Sequence, residues 1–187
     1  PGFHLNADMM LRASLAAQLG DIFMKCTYRM RPYEATPGSV DAVHAKWRKN
    51  AQDYVSAKHI NLLRFPSLCR DIIRDFDRIP LLPVAKPKVG IVGEILVKFS
   101  PAGNNHLVEL LEAEGAEAVV PELIGFMLYC FYNQLYKADH LGMSKKTARI
   151  SALGIWAIEH LLQGPARKAY RKSKHFTPPS PIKELAD

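Results

Sequence analysis

Two short polar clusters in the middle of the chain carry the side chains that could bind or react with a ligand. The first is Gly93-Glu94 and the second is Asn104-Asn105-His106. A carboxylate can accept hydrogen bonds from a ligand, and an imidazole can donate to an anion or transfer a proton. The asparagines open a predicted helix, whose free N–H groups suit a phosphate or carboxylate. These five residues, together with Arg31, are the predicted ligand-binding site, and the sequence assigns no catalytic residue.

Each of these residues also has a purely structural interpretation. Glu94 can pair with Lys98 or Arg31, or remain solvated, and one asparagine can serve only as a helix cap. Arg31 opens the rigid turn Arg31-Pro-Tyr-Glu34. It can contact an anion near the same crevice, or it can be tied to Glu34 in a structural corner.

The elements that must position these residues form one predicted βαβ unit. Residues 89–92 are a short apolar run typical of a buried strand, and 116–120 are a second one. Between them lies an apolar-striped helix that ends at Gly115. This order requires a parallel strand pair, and ligands in such sheets bind beyond the carboxyl ends of the strands. That rule predicts a ligand-binding site at the residues just after Val92.

The remainder of the chain is predicted to be helical. Apolar residues recur at helical spacing over 7–27, and Cys26 lies on that stripe, which favours a buried structural thiol. The other predicted helices begin at Ser39, after Phe65-Pro66, after Pro121 and at Ser144, with a short basic helix over 166–174 after a stop at Gly164-Pro165. We expect a single α/β lobe with three parts: helical residues 1–85, a βαβ unit with an aromatic helix at 86–140, and basic helices at 141–187.

Composition limits the classes of function. The chain has 187 residues and a net charge of +7, of which +6 falls in residues 141–187. This basic part has few stacking aromatics and no nucleic-acid-binding module, so we expect no nucleic-acid partner. Three separated cysteines form no metal-ligand pair, and no apolar run is long enough to span a membrane. We expect a cytoplasmic piece of a longer protein, with the same chain's other domains or a second copy in a homodimer as partners.

The glycines near Val92 do not form a dinucleotide-binding fingerprint. That motif needs its glycines in the turn leading directly into a helix, whereas Gly90 lies within the predicted strand. About ten residues then separate Gly93 from the predicted helix. No phosphate-binding loop, nucleophile elbow or nucleophile–base pair is present. The sequence therefore gives no support for an independent small-molecule enzyme.

The order and spacing of several motifs resemble those of a known family. The motifs are Met30-Arg-Pro-Tyr-Glu34 with Pro37-Gly38, then Lys88-Val-Gly-Ile-Val-Gly-Glu-Ile-Leu-Val97, Asn104-Asn105 and Glu117-Ala-Val-Val-Pro121. They resemble the large CoA-substrate-specific enzyme activases, also described as 2-hydroxyacyl-CoA dehydratase activator-related proteins of anaerobic bacteria. The resemblance covers about residues 10–185.

The resemblance implies a Rossmann-like or flavodoxin-like lobe, helix-rich and with a small parallel sheet, from the dehydratase-like region. Its function would be to form one wall of an iron–sulfur or substrate crevice in an ATP-dependent activator or reductase. The family's cluster-type cysteines and ATPase motifs have no counterparts here, so we expect no cofactor in this chain and an iron–sulfur cluster only in the longer protein. The alternative is a scaffold or docking domain without activity, which exposed aromatics in 123–136 would favour.

Overall fold

A computed structural model describes residues 6–142, 144–182 and 184, and it is helix-rich with a small sheet. The α-helices are α1 Ala7–Met30, α2 Ser39–Ser56, α3 Phe65–Asp77, α4 Ile95–Phe99, α5 Leu107–Ala113, α6 Leu123–His140, α7 Lys145–Ala157 and α8 Gln163–Tyr170. The strands are β1 Lys88–Gly90 and β2 Glu117–Val119. None of the described helices is both long and apolar enough to cross a membrane.

The predicted parallel pair is confirmed. β1 and β2 are parallel, with Val89 opposite Ala118, and α5 connects them and ends before Gly115, whose φ of +84° suits glycine. The short helix α4 between β1 and α5 is absent from the sequence prediction.

The prediction of a buried first strand is wrong. β1 covers only three residues, all exposed, and Val92 beyond it is 81% exposed, whereas Ile91 is buried. The cause is the width of the sheet, because in the described part of the chain no third strand pairs with β1 or β2. A two-stranded sheet covers an apolar strand only where a helix packs on it, and here α5 covers Ile91 and Ala118 through Val108.

The largest hydrophobic cluster joins the two ends of the chain. Its residues come from α1, α2, α3, α8 and Phe176, and they include Leu19, Ile22, Ile72 and Phe76. Cys26 is fully buried in this cluster, as the stripe on α1 predicted. A second cluster lies under the α6–α7 hairpin and includes Ile124, Leu128 and Ile158.

The predicted stop at Gly164-Pro165 is also wrong. A π-helical segment, Ile158–Leu162, continues α7, and α8 begins at Gln163 and ends at Tyr170. Pro165 is the third residue of α8, which directly follows this π-helical segment. The sequence rules predicted that Pro165 ends a helix, whereas it lies near the start of α8.

Candidate functional site

The residues after β1 have structural roles. The Glu94 carboxylate accepts a 3.0 Å hydrogen bond from the Val97 backbone N–H and so caps α4. It is exposed, and no ion pair links it to Lys98 or Arg31 among the described residues. Gly93 has a φ of +141°, which only glycine adopts without strain. The pair turns the chain from the sheet into α4.

The asparagine cluster is likewise explained by local structure. Asn104 Oδ1 accepts a 3.2 Å hydrogen bond from the Leu107 N–H, and its Nδ2 donates to the carbonyls of Val97 and Lys98 at 3.1 and 3.3 Å. Asn105 and His106 both have left-handed backbones, with φ of +55° and +53°. The cluster therefore connects the end of α4 to the start of α5.

His106 and Arg31 each lie beside carboxylates other than Glu94. The His106 side chain is 66% exposed, and its Nδ1 lies 3.7 Å from the Glu109 carboxylate. Arg31 forms ion pairs with Asp41 and Glu112, both at 3.1 Å, instead of the predicted pair with Glu34.

Glu34 instead caps α2. Its carboxylate accepts hydrogen bonds from the Gly38 N–H, the Ser39 hydroxyl and the Val40 N–H at 2.8, 3.0 and 2.8 Å. These bonds lower the Glu34 pKa, although burial acts in the opposite direction. The turn at Arg31–Tyr33 is thus a structural corner, as one of its two interpretations predicted. Arg31 and Glu34 do not pair with each other in it, however, and each has other partners.

A large cavity lies elsewhere, along β2 and past its carboxyl end. Its volume is about 1120 Å³, and residues of α1, β2, α6 and the segment after α8 line it. None of the six predicted site residues, Gly93, Glu94, Asn104, Asn105, His106 and Arg31, is among the lining residues. The strand-end rule directed the prediction to the end of β1, whereas the cavity adjoins β2.

Cations outnumber carboxylates around this cavity. The lining cations are Lys25, Arg29, Lys88, Lys98 and Lys174, and the lining carboxylates are Glu117 and Glu122. Lys98 and Lys174 form no ion pair within the described part of the chain. Burial lowers the Lys98 pKa, and the charge of nearby Asp21 opposes that shift. A half-buried ammonium of this kind is stabilised by a bound anion.

Glu117 is the buried anchor of the cavity wall. Its side chain is 4% exposed, and Oε2 lies 2.7 Å from both Arg29 Nη1 and the Tyr33 hydroxyl. Oε1 lies 3.8 Å from Lys88 Nζ. Burial and the Glu117 carboxylate raise the pKa of Tyr33. The carboxylate is therefore satisfied within the protein and positions two cations beside the cavity.

Aromatic side chains of α6 form another part of the cavity lining. Phe126, Tyr129, Tyr132 and Tyr136 line the cavity, and three of them are exposed to between 43% and 55%. At the start of α6, Asp21 accepts 2.8 Å hydrogen bonds from the Leu123 and Ile124 N–H groups. These bonds fix α6 against α1, and so they fix the position of these aromatic side chains.

The sequence contains only weak signals for these residues. Glu117 is a charge within the apolar run Ala116–Val120, and such a residue is usually paired when buried. Its partners Arg29 and Tyr33 lie more than 80 residues earlier. Only the fold brings them together with Lys98 and Lys174.

The three cysteines do not form a cluster site. Cys26 and Cys69 are buried and Cys130 is exposed, and none lines the cavity. Burial raises the Cys69 pKa to about 12 and the Cys26 pKa further, which disfavours the thiolate that binds metal. The described residues contain no group of three or more His, Cys, Asp or Glu arranged to hold a metal. These residues do not fit an iron–sulfur cluster, and no step is assigned to one.

Comparison of the chain with models of known protein families, with curated proteins and with solved structures gives no match. Its function is therefore inferred from the sequence motifs and from the cavity.

Proposed function

We propose that this chain is a lobe of an ATP-dependent activator or reductase of the 2-hydroxyacyl-CoA dehydratase type, and that its cavity forms one wall of the substrate crevice. The observation that carries the proposal is the presence of several cations and several aromatic side chains in the lining of one cavity of about 1120 Å³. Coenzyme A presents phosphates and an adenine ring. Lysines bind phosphate, and tyrosine faces stack on bases.

The lysines of the cavity and the tyrosines of α6 bind different parts of the ligand. Lys98 and Lys174 contact the phosphates of the ligand, and Tyr129 and Tyr136 stack on its ring. Arg29 and Lys25 are already paired with Glu117 and Glu122, at 2.7 and 2.9 Å. They contribute a fixed positive potential instead of direct charge neutralisation. The lobe alone binds ligand and turns nothing over.

We further propose that the two-stranded sheet belongs to a wider Rossmann-like or flavodoxin-like sheet in the longer protein. The support is the exposure of apolar sheet residues: Val89, Val92 and Val119 are 37%, 81% and 43% exposed. Strands of parallel sheets are normally covered on both faces. We expect another domain of the same chain to cover these exposed valines.

The docking alternative has one favourable observation, since Phe126, Tyr129 and Tyr136 are exposed. These side chains also line the cavity, and a bound ligand would cover them as well as a protein would. Binding to coenzyme A separates the two ideas.

Isothermal titration of the chain with coenzyme A is the test. We expect binding that weakens with salt, because phosphate contacts are screened. The Lys98→Met/Lys174→Met variant should weaken binding roughly tenfold or more, since each phosphate contact contributes about 1.5–3 kcal/mol at most. The matched control is Lys49→Met/Lys58→Met, which removes two exposed charges away from the cavity. Absence of binding, or equal losses in both variants, would contradict the proposal.

A further inference from the structure

The outer face of α7 carries large apolar side chains with no neighbour in the described structure to bury them. Ile150, Leu153 and Trp156 are spaced by three residues and are 56%, 65% and 51% exposed. The inner face packs on α6, where a Cβ at Gly154 would lie 2.8 Å from the Phe131 ring. Leu161, in the π-helical segment after α7, is 60% exposed.

The beginning of the same helix is cationic. Lys145, Lys146 and Arg149 are exposed, and α7 contains no Asp or Glu. None of these three cations forms an ion pair within the described part of the chain. Cations in the first turn oppose the helix dipole at a cost of about 0.3–1 kcal/mol each, whereas carboxylates there are favourable. A carboxylate supplied from outside would offset both the charge and the dipole.

We propose that this outer face of α7 and of the π-helical segment after it, from Lys145 to Leu161, docks an acidic amphipathic helix of a partner protein or domain. The partner's apolar stripe would cover Leu153 and Trp156, and its carboxylates would lie opposite Lys146 and Arg149. Exposed tryptophan and arginine are the residue types that dominate binding energy at interfaces. Helix-against-helix packing at this spacing is an established recognition mode.

The charge pattern selects this occupant over two others. Helices that lie on membranes carry Lys and Arg along the whole polar face, but here the cations are confined to one end. A second copy of the chain offers no carboxylate from its own α7, and each chain carries a charge of +7. The carboxylate of Glu159, just after α7, is half-buried and accepts a 3.4 Å hydrogen bond from the Ile182 N–H. An acidic partner helix supplies carboxylates to the cations at one end of the face, and the net charge of the chain attracts it. The inference is independent of what binds in the cavity.

Tryptophan fluorescence is the direct test, because Trp156 lies at the centre of the face. The chain is used with Trp47→Phe, which leaves Trp156 as the only tryptophan. The probe is an 18-residue helical peptide with leucines at i, i+3, i+4 and i+7 and glutamates elsewhere. The control peptide has lysine in place of each glutamate. We expect a blue shift and saturable binding with the acidic peptide alone.

Three variants keep the test specific. Lys146→Glu/Arg149→Glu should weaken the acidic peptide about three- to tenfold and improve the lysine peptide, since each exposed pair contributes up to about 1 kcal/mol. Leu153→Ser should weaken the acidic peptide about tenfold. Leu63→Ser, at a 91% exposed leucine outside this face, should have no effect. Circular dichroism confirms that each variant is folded.

Four outcomes would overturn the proposal. They are equal binding of both peptides, no binding of either, a blue shift only with vesicles of anionic phosphatidylglycerol, or a concentration-dependent dimer that buries Trp156 without peptide. The vesicle result would assign the face to a membrane, and the dimer result to a second copy. Coenzyme A binding, measured separately, is unaffected by all four.

Discussion

The Tyr33 hydroxyl donates a 2.7 Å hydrogen bond to Oε2 of Glu117, which lies 84 residues later in the chain. The same oxygen accepts a 2.7 Å bond from Arg29, whose guanidinium lies 4.9 Å from the centre of the Tyr33 ring. The three residues therefore form one buried unit that connects the end of α1 to β2. Because Arg29 and Glu117 also line the cavity, this unit fixes the cavity's shape.

Removing the Glu117 carboxylate should destabilise the protein. Glu117→Ala leaves Arg29 and Tyr33 without their shared acceptor, and breaking a buried pair in this way costs about 3–5 kcal/mol. Urea denaturation followed by circular dichroism measures the loss. Glu109→Gln, at a 57% exposed carboxylate, should change the free energy of unfolding by less than about 0.5 kcal/mol. A loss in Glu117→Ala no larger than in this control would show that the buried unit contributes no stability.

The contrast between Glu117 and Glu34 shows what the sequence can predict. The corner around Glu34 follows from neighbours within six residues, so its structural role was foreseeable even though its partners were not. The partners of Glu117 lie outside the βαβ unit, Arg29 in α1 and Tyr33 in the turn that follows α1. Likewise, Arg31 binds Glu112, 81 residues away, because α5 packs beside it. Local spacing carries no information on such pairs.

Asp21 should make stability fall as the pH rises from about 4 to 6. Burial raises its pKa from 3.8 to about 6, against the opposing effect of two backbone hydrogen bonds. The folded state therefore holds this proton more tightly than the unfolded chain. Its contribution is complete below pH 4 and is lost as the pH rises through 6, by up to about 3 kcal/mol.

Substitution of Asp21 isolates this effect. We expect the wild type to lose stability relative to Asp21→Asn as the pH rises. Its free energy of unfolding, measured against that of the variant, should fall by up to about 3 kcal/mol between pH 4 and pH 7. Denaturant titrations across that range measure it. Asp53→Asn removes an exposed carboxylate and is the matched control. A pH-dependent difference for Asp21→Asn no larger than for this control would contradict the assigned shift.

His106 should be replaceable by glycine with a gain in stability. Its φ of +53° is a left-handed backbone that costs a non-glycine residue about 1–2 kcal/mol, and its imidazole is 66% exposed. His106→Gly should raise the free energy of unfolding by up to about 1 kcal/mol, and His106→Ala should not. Coenzyme A binding should be the same in both. Equal loss of binding in both variants would restore the ligand-binding role predicted from the sequence.

The strand predictions show a second limit of sequence information. A short β-rich apolar run predicted a strand over residues 89–92, and β1 begins one residue before that range and ends two residues before its end. Whether Val92 is covered depends on the number of strands beside it, and this is a property of the whole sheet. The same reasoning explains why the aromatic run of α6 was recognised, whereas the cavity that it lines was not.

Gly154 should tolerate no larger side chain. A Cβ at this position would lie 2.8, 2.9 and 3.0 Å from three carbons of the Phe131 ring, which is closer than van der Waals contact allows. Gly154→Ala should therefore lower the free energy of unfolding by about 1–3 kcal/mol, because overpacking forces the two helices apart.

Gly20→Ala in α1 is the matched control, since nothing lies within 4 Å of its Cβ. That change should instead stabilise the protein by about 0.5–1 kcal/mol through helix propensity. Combining Gly154→Ala with Phe131→Leu should recover part of the loss. If Gly154→Ala stabilised the chain as Gly20→Ala does, α6 and α7 could not pack as closely as the Gly154–Phe131 contact requires.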